Sequence, residues 1–234
     1  MPADDFVFPP APQASLAVQG TDARFPMRRI FCVGRNYEAH AREMGKDPTR
    51  EAPFFFTKPA DAVLDTPCII PYPPQTEDLH HEIELVIAIG KGGRNIAEAD
   101  VMDHVWGASV GIDLTRRDLQ AEAKKAGRPW DWGKAFDNSA PIAALKPIAD
   151  VPSVEQGRIW LAVNGEVRQD ADLADLIWSV REHVAILSQS MALAPGDIIM
   201  TGTPAGVAAL VEGDVVTGGV DGIATLEVTI GPRA

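Results

Sequence analysis

The chain has 234 residues, a formal net charge of −12, 46% hydrophobic and 23% charged residues, and two cysteines. Its length and apolar content suffice to bury a core without disulfides and argue against general disorder. Its acidity, without any basic run, speaks against a nucleic-acid partner, and no apolar stretch reaches the ~20 residues needed to span a bilayer.

Residues 1–26, opening MPADDFVFPPAPQ, are Pro-rich and weakly periodic. They read as an extended arm lying on the body or on a neighbouring subunit, ahead of a single domain over 27–234. The same opening lacks a basic region followed by an apolar stretch, so a cytoplasmic location is expected. Cys32 and Cys68 lie in separate segments without metal-type spacing and read as reduced thiols in or near the core.

Short β-type runs then dominate: RRIFCV, APFFFT, EIELVIAIG, GASVGID, RIWLAVNGEVRQ, GDIIMTG and DVVTGGVDGIATLEVTI, punctuated by Gly and Pro. The expected fold is α+β and β-rich, with a few peripheral helices. Asn36 is positioned to cap a short helix running through Met44 and stopping at Gly45. Thr115 with Asp118 forms a capping-box pattern for a helix to about Gly127, and Ser179 with Glu182 repeats it for a helix through about Met191. Asn164-Gly165, between two alternating runs, is a hairpin signal requiring positive φ.

Two stretches carry chemistry. In NYEAHAREMG, His40 and Glu43 are three apart on one helix face, the spacing of a general base held by a carboxylate. Taken alone, such a pair is more often a surface contact. In HHEIELVIAIG, strand alternation points Glu82 and Glu84 the same way, with Val86 and Ala88 beyond them, and puts Ile83, Leu85, Ile87 and Ile89 on the opposite face. Two carboxylates that close need a cation or a shared proton, unless they simply sit at a solvated strand end. Asp113, ending the run GASVGID just before a helix, supplies a third oxygen donor. An all-carboxylate set selects hard cations, Mg²⁺ or Mn²⁺ ahead of Ca²⁺. His80 and His81 have no second His four residues on, which removes the zincin reading.

The segments FCVGRNYEAHAREMG, PFFFTKPADAV, HHEIELVIAIG, GASVGIDLTRRDLQ, WDWGKAFDNSAP, VNGEVRQ and GDIIMTGTPAGV resemble, in order over roughly residues 28–231, the hallmark segments of the fumarylacetoacetate hydrolase superfamily. The resemblance implies a mixed β-roll or sandwich, a homodimer, a catalytic domain over 27–234, and Mg²⁺ or Mn²⁺ held by Glu82, Glu84 and Asp113. It also implies that His40 and Glu43 ride on a mobile lid and activate a water; Gly34 and Gly45 flank that segment and read either as hinges or as plain turn and cap residues. Arg117 and Lys134 would reach the substrate and its developing enolate, and Gln120, one helical turn on, would hold an oxygen of it. Arg35 and Lys58 are the candidates for a distal substrate carboxylate, while Arg116 is rotated away. The TGTPAGV loop, with Gly202 and Thr203, would donate to a carboxylate; without the resemblance it reads as a plain turn.

The implied activity is hydrolysis of a C–C bond in a small 2,4-dioxo acid, fumarylpyruvate to fumarate and pyruvate foremost, as in gentisate degradation. The alternatives are an acylpyruvase or oxaloacetate decarboxylase (tautomerase) on the same site, and a non-catalytic protein that binds a dioxo acid.

Overall fold

The computed structural model describes residues 6–43 and 51–233. An eight-stranded mixed sheet forms the backbone of the fold, in the spatial order Phe54–Lys58, Arg29–Gly34, Asp197–Met200, Ile83–Ile89, Val105–Ile112, Ala140–Ile142 and Val63–Asp65, with Lys146–Pro147 also pairing to Val105–Ile112. A five-stranded sheet of Glu166–Asp172, Arg158–Val163, Val215–Val220, Ala224–Arg233 and Cys68–Tyr72 packs against it.

Strand Ile83–Ile89 is buried along its whole length because each of its faces meets a different apolar layer. Ile83, Leu85, Ile87 and Ile89 pack with Ile159, Leu161, Val216 and Val228 of the five-stranded sheet. Val86 and Ala88 pack on the other side with Ile30, Cys32, Ile198 and Met200. An antiparallel hairpin, Ser15–Val18 with Thr21–Pro26, closes that second layer through Leu16, Val18 and Phe25. Each fully buried aliphatic chain contributes about 1.5–3 kcal/mol, so the central strand is fixed from both sides.

The Asn164-Gly165 turn forms with φ of 51° and 83°, joining Arg158–Val163 to Glu166–Asp172. Ser179 and Glu182 make the full capping box at the start of helix Val180–Ser190. The other two caps differ from expectation. Helix Arg117–Ala126 begins without a side-chain cap, because Thr115 is held in a two-residue strand against His80 and its hydroxyl bonds the Asp113 carbonyl. Asp118 instead accepts from the Thr76 hydroxyl and the Glu77 amide. Asn36 does not cap helix Glu38–Glu43: its side chain bridges Trp178 and the Thr201 carbonyl, tying the start of that helix to two distant segments. The expected helix end at Met44 and Gly45 lies outside the described residues. Gly34 ends its strand under the Phe54 ring, where a Cβ would collide. No helix among the described residues is long and apolar enough to cross a membrane.

Candidate active site

Three carboxylates meet where two antiparallel strands end. Glu82 precedes Ile83–Ile89, Asp113 follows Val105–Ile112, and the Asp113 amide bonds the Glu82 carbonyl at 2.8 Å. Glu84 lies one pleat further along, opposite Gly111. Oxygens from Glu82, Glu84 and Asp113 lie within 4.8 Å of one another, and none of the three residues is more than 5% exposed.

Such a cluster is unfavourable without compensation. Lys134, at the end of the one-turn helix Asp131–Lys134, donates to Glu82 at 2.7 Å and to Asp113 at 2.6 Å. Arg117 pairs with the other Glu82 oxygen and donates to Gln120 at 2.7 Å. Burial tends to raise the Glu82 carboxyl, but Lys134 and Arg117 outweigh it and hold the group well below the usual range. The same two carboxylates, Asp113 foremost, outweigh burial at Lys134 and keep it an ammonium.

Glu84 is treated differently. Burial, then the charges of Asp113 and Glu82, push its carboxyl well above the ordinary range, against the opposing effects of Lys134 and of the Gly202 amide, which donates at 2.7 Å. Asp113 Oδ1 is buried and accepts no hydrogen bond, although Lys58 Nζ is 2.8 Å away as an ion pair. The charges of Asp113 and Glu82 against buried Glu84 are relieved by a cation, and three convergent carboxylate oxygens suit a hard divalent ion. The residues therefore fit Mg²⁺ or Mn²⁺.

His40, 6% exposed, faces this cluster from helix Glu38–Glu43. Its Nδ1 is 3.2 Å from Glu43, whose carboxylate accepts from the Gly206 amide at 3.1 Å. Burial lowers the imidazole's proton affinity more than Glu82 and Glu43 raise it, so the ring is neutral at pH 7. A neutral ring donating Nδ1–H to Glu43 presents Nε2 as an acceptor, the state a general base requires.

These groups line one narrow cleft of about 30 Å³, with Arg35, Phe56, Arg117, Gln120, Lys124, Trp130, Lys134 and Thr203 in its wall. A wider hollow of about 890 Å³ lies beside Tyr37, Arg42 and Asp175 but contains none of the three carboxylates, so the smaller cleft is the candidate site.

Two groups expected at the substrate are engaged by other parts of the protein. Lys58 does not line the cleft: it is enclosed behind Asp113 and donates to the carbonyls of Leu114 and Lys134. The Gly202 amide is spent on Glu84 and is not free for a ligand. Arg116 does point away, lying over the Phe136 ring at 4.3 Å. Conversely, Lys124 was missed. It lies 5.0 Å over the Trp130 ring, and burial, then repulsion from Arg117 and Arg35, brings its pKa down to about 8. The signal was present, since Arg117, Gln120 and Lys124 recur at i, i+3 and i+7 on one helix face.

Fold and site together define a β-rich enzyme whose reactive centre is a buried carboxylate cluster flanked by cations and a histidine. Residues 29–231 match the family described as fumarylacetoacetate (FAA) hydrolase, C-terminal, and the chain belongs to that family. It is 44% identical to a fumarylpyruvate hydrolase of Ralstonia over 80% of this chain and 96% of the relative. Against human mitochondrial oxaloacetate tautomerase FAHD1 it is 39% identical, over 85% of this chain and 90% of the relative. The crystal structure of a Pseudomonas aeruginosa fumarylpyruvate hydrolase in complex with Mn²⁺ and pyruvate superposes with a TM-score of 0.95 at 50% identity, covering 98% of this chain and all of that one. The β-rich fold expected from sequence is the fold of this relative.

Proposed function

We propose that this protein is a divalent-metal-dependent hydrolase that cleaves fumarylpyruvate to fumarate and pyruvate. The observation that carries the reading is the buried Glu82, Glu84 and Asp113 cluster, in a chain that superposes along its length on a relative crystallised with Mn²⁺ and pyruvate. Mg²⁺ or Mn²⁺ bound by these three residues would supply Lewis-acid stabilisation of negative charge on the 2-oxo acid.

The chain's own groups account for the remaining chemistry. His40 Nε2 takes a proton from water, Glu43 stabilises the resulting imidazolium, and the hydroxide adds to the ketone distal to the 2-oxo acid. Collapse of that adduct breaks the adjacent C–C bond, leaving the new carboxyl group on fumarate and the electron pair on the enolate of pyruvate. Lys134, an ammonium whose donors already face the carboxylates, and Arg117 offset the enolate's charge. Protonation at carbon gives pyruvate, and one water is consumed. With its Oε1 occupied by Arg117, Gln120 presents its amide N–H₂ to a substrate oxygen.

The distal carboxylate of fumarylpyruvate needs its own cation. Arg117 and Lys134 are engaged by Glu82 and Asp113, so Arg35 and Lys124 at the aromatic wall of Phe54, Phe56 and Trp130 take this part. The likeness to an oxaloacetate tautomerase supports a second reading on the same site, in which no attacking water is needed. A homodimer belongs to the proposal and is checked by light scattering.

Steady-state rates of the purified protein with Mg²⁺ or Mn²⁺ on fumarylpyruvate, maleylpyruvate, acetylpyruvate, fumarylacetoacetate and oxaloacetate test the assignment. Fumarylpyruvate is expected to give the highest kcat/KM. Preference for oxaloacetate would select the second reading, and turnover of none would refute both.

A further inference from the structure

We infer that Gln169 is a positioning residue that fixes the Thr203 hydroxyl as a hydrogen-bond donor into the cleft. The inference rests on the proposed function in taking the cleft as the place where an oxo acid binds. Gln169 closes the run VNGEVRQ, and it is the one buried residue in strand Glu166–Asp172. A polar side chain fully enclosed on an otherwise open strand needs partners for every donor and acceptor it carries.

Those partners determine its orientation. The Ile83 amide can only donate, and it lies 3.1 Å from Oε1; the Pro204 carbonyl can only accept, and it lies 2.8 Å from Nε2. The amide is thereby oriented without reference to any assigned flip. His81 Nδ1, 2.9 Å from Oε1, must then carry a proton. Of the two Nε2 protons, one goes to Pro204 and the other to Thr203 Oγ1, at 2.8 Å.

Thr203 therefore accepts from Gln169 and must send its own proton elsewhere. Among the described residues that hydroxyl donates to no protein group, and Thr203 lines the cleft with Glu84, Asp113 and Lys134. Its proton faces the space where a carbonyl or carboxylate oxygen of the bound acid would lie. The support beneath it is close-packed: a Cβ on Gly206 (φ 96°) would collide with the Arg168 carbonyl, so the loop lies directly on the strand that carries Gln169. That loop also gives its Gly202 amide to Glu84 and its Gly206 amide to Glu43.

The test is a double-mutant cycle with Gln169→Glu and Thr203→Val on the Mn²⁺-loaded protein. It is read as kcat and KM on fumarylpyruvate and, separately, as oxalate affinity by calorimetry. A carboxylate at position 169 cannot donate to Thr203 and draws the hydroxyl proton away from the cleft. Each single change should lower kcat/KM and oxalate affinity by about tenfold to a hundredfold, and the double variant should be no worse than either one. Thr203→Ser should retain most of both. Losses that multiply in the double variant, or a Gln169→Glu protein that binds oxalate normally, would overturn the inference.

If the wild type cleaves no dioxo acid, the functional reading fails, while the oxalate cycle still decides the role of Gln169. Should Gln169→Glu not fold, ¹⁵N NMR of the wild type decides the orientation. A protonated His81 Nδ1 is expected, and an unprotonated one contradicts it.

Discussion

The site is assembled from two regions of opposite character. Glu82, Glu84 and Asp113 sit at the ends of neighbouring strands whose faces are both packed, in a part of the molecule that cannot shift without disturbing two apolar layers. His40 and Glu43 sit on a six-residue helix, too short to be stable by itself, held by Asn36 to Trp178 and Thr201 and by Glu43 to the Gly206 amide. The first region confines like charges where nothing can relax around them, so a cation relieves the repulsion. The second brings a neutral base to the cleft through a few specific hydrogen bonds. On the proposed function, binding of the metal and activation of water would thus be separable.

The largest effect should come from the packed region. Asp113→Ala is expected to lower kcat on the order of a thousandfold or more while leaving secondary structure intact by circular dichroism, because the side chain lies at a strand end. Near-normal turnover would show that the reaction does not depend on this cluster. His40→Ala should keep Mn²⁺ affinity and lose about a hundredfold or more in kcat, and weakened metal binding in that variant would show that the two regions are not independent. In the wild type, the acid limb of kcat/KM should fall below the ordinary imidazole value of about 6.5, since burial lowers His40; a limb above 7 would contradict the neutral-base reading.

A smaller, selective effect is expected at the cleft wall. Lys124→Met should slow fumarylpyruvate cleavage by roughly tenfold to a hundredfold while sparing acetylpyruvate, which lacks the distal carboxylate. Equal losses on both substrates would assign Lys124 to the reaction itself.

Smaller still is a stability effect in the metal-free protein. The folded state raises the Glu84 carboxyl above its unfolded value, so its contribution is present below about pH 4.3 and is lost as pH rises through the folded value. Metal-free Glu84→Gln should accordingly melt higher than metal-free wild type at pH 7. A lower melting temperature would mean that Glu84 is better compensated than its surroundings indicate.

Much of the packed region was legible because its logic is local. Period-two alternation alone placed Glu82 and Glu84 on one side and the isoleucines on the other, and the end of the next strand supplied Asp113. The Asn164-Gly165 turn and the Ser179 capping box were legible for the same reason. What escaped depends on segments remote in sequence. Asn36 looked like a helix cap, but its partners are 142 and 165 residues away. Lys58 fell within a matched motif, yet only the fold shows that carbonyls of Leu114 and Lys134 enclose it. Strand Cys68–Tyr72 was hidden by Pro71, which is tolerated because the strand is at a sheet edge and, among the described residues, pairs only with Ala224–Arg233. Gln169 carries no periodic signal at all, since its buried polarity makes sense only with Ile83, Thr203 and Pro204 around it.

The central claim is that the buried carboxylates Glu82, Glu84 and Asp113 form one hard-cation site. It is tested most directly by calorimetric titration of Mn²⁺ into wild type and Glu84→Gln at pH 7. One Mn²⁺ per chain in the wild type, and a large loss of affinity in the variant, is the predicted result. Equal affinity in both proteins would contradict it.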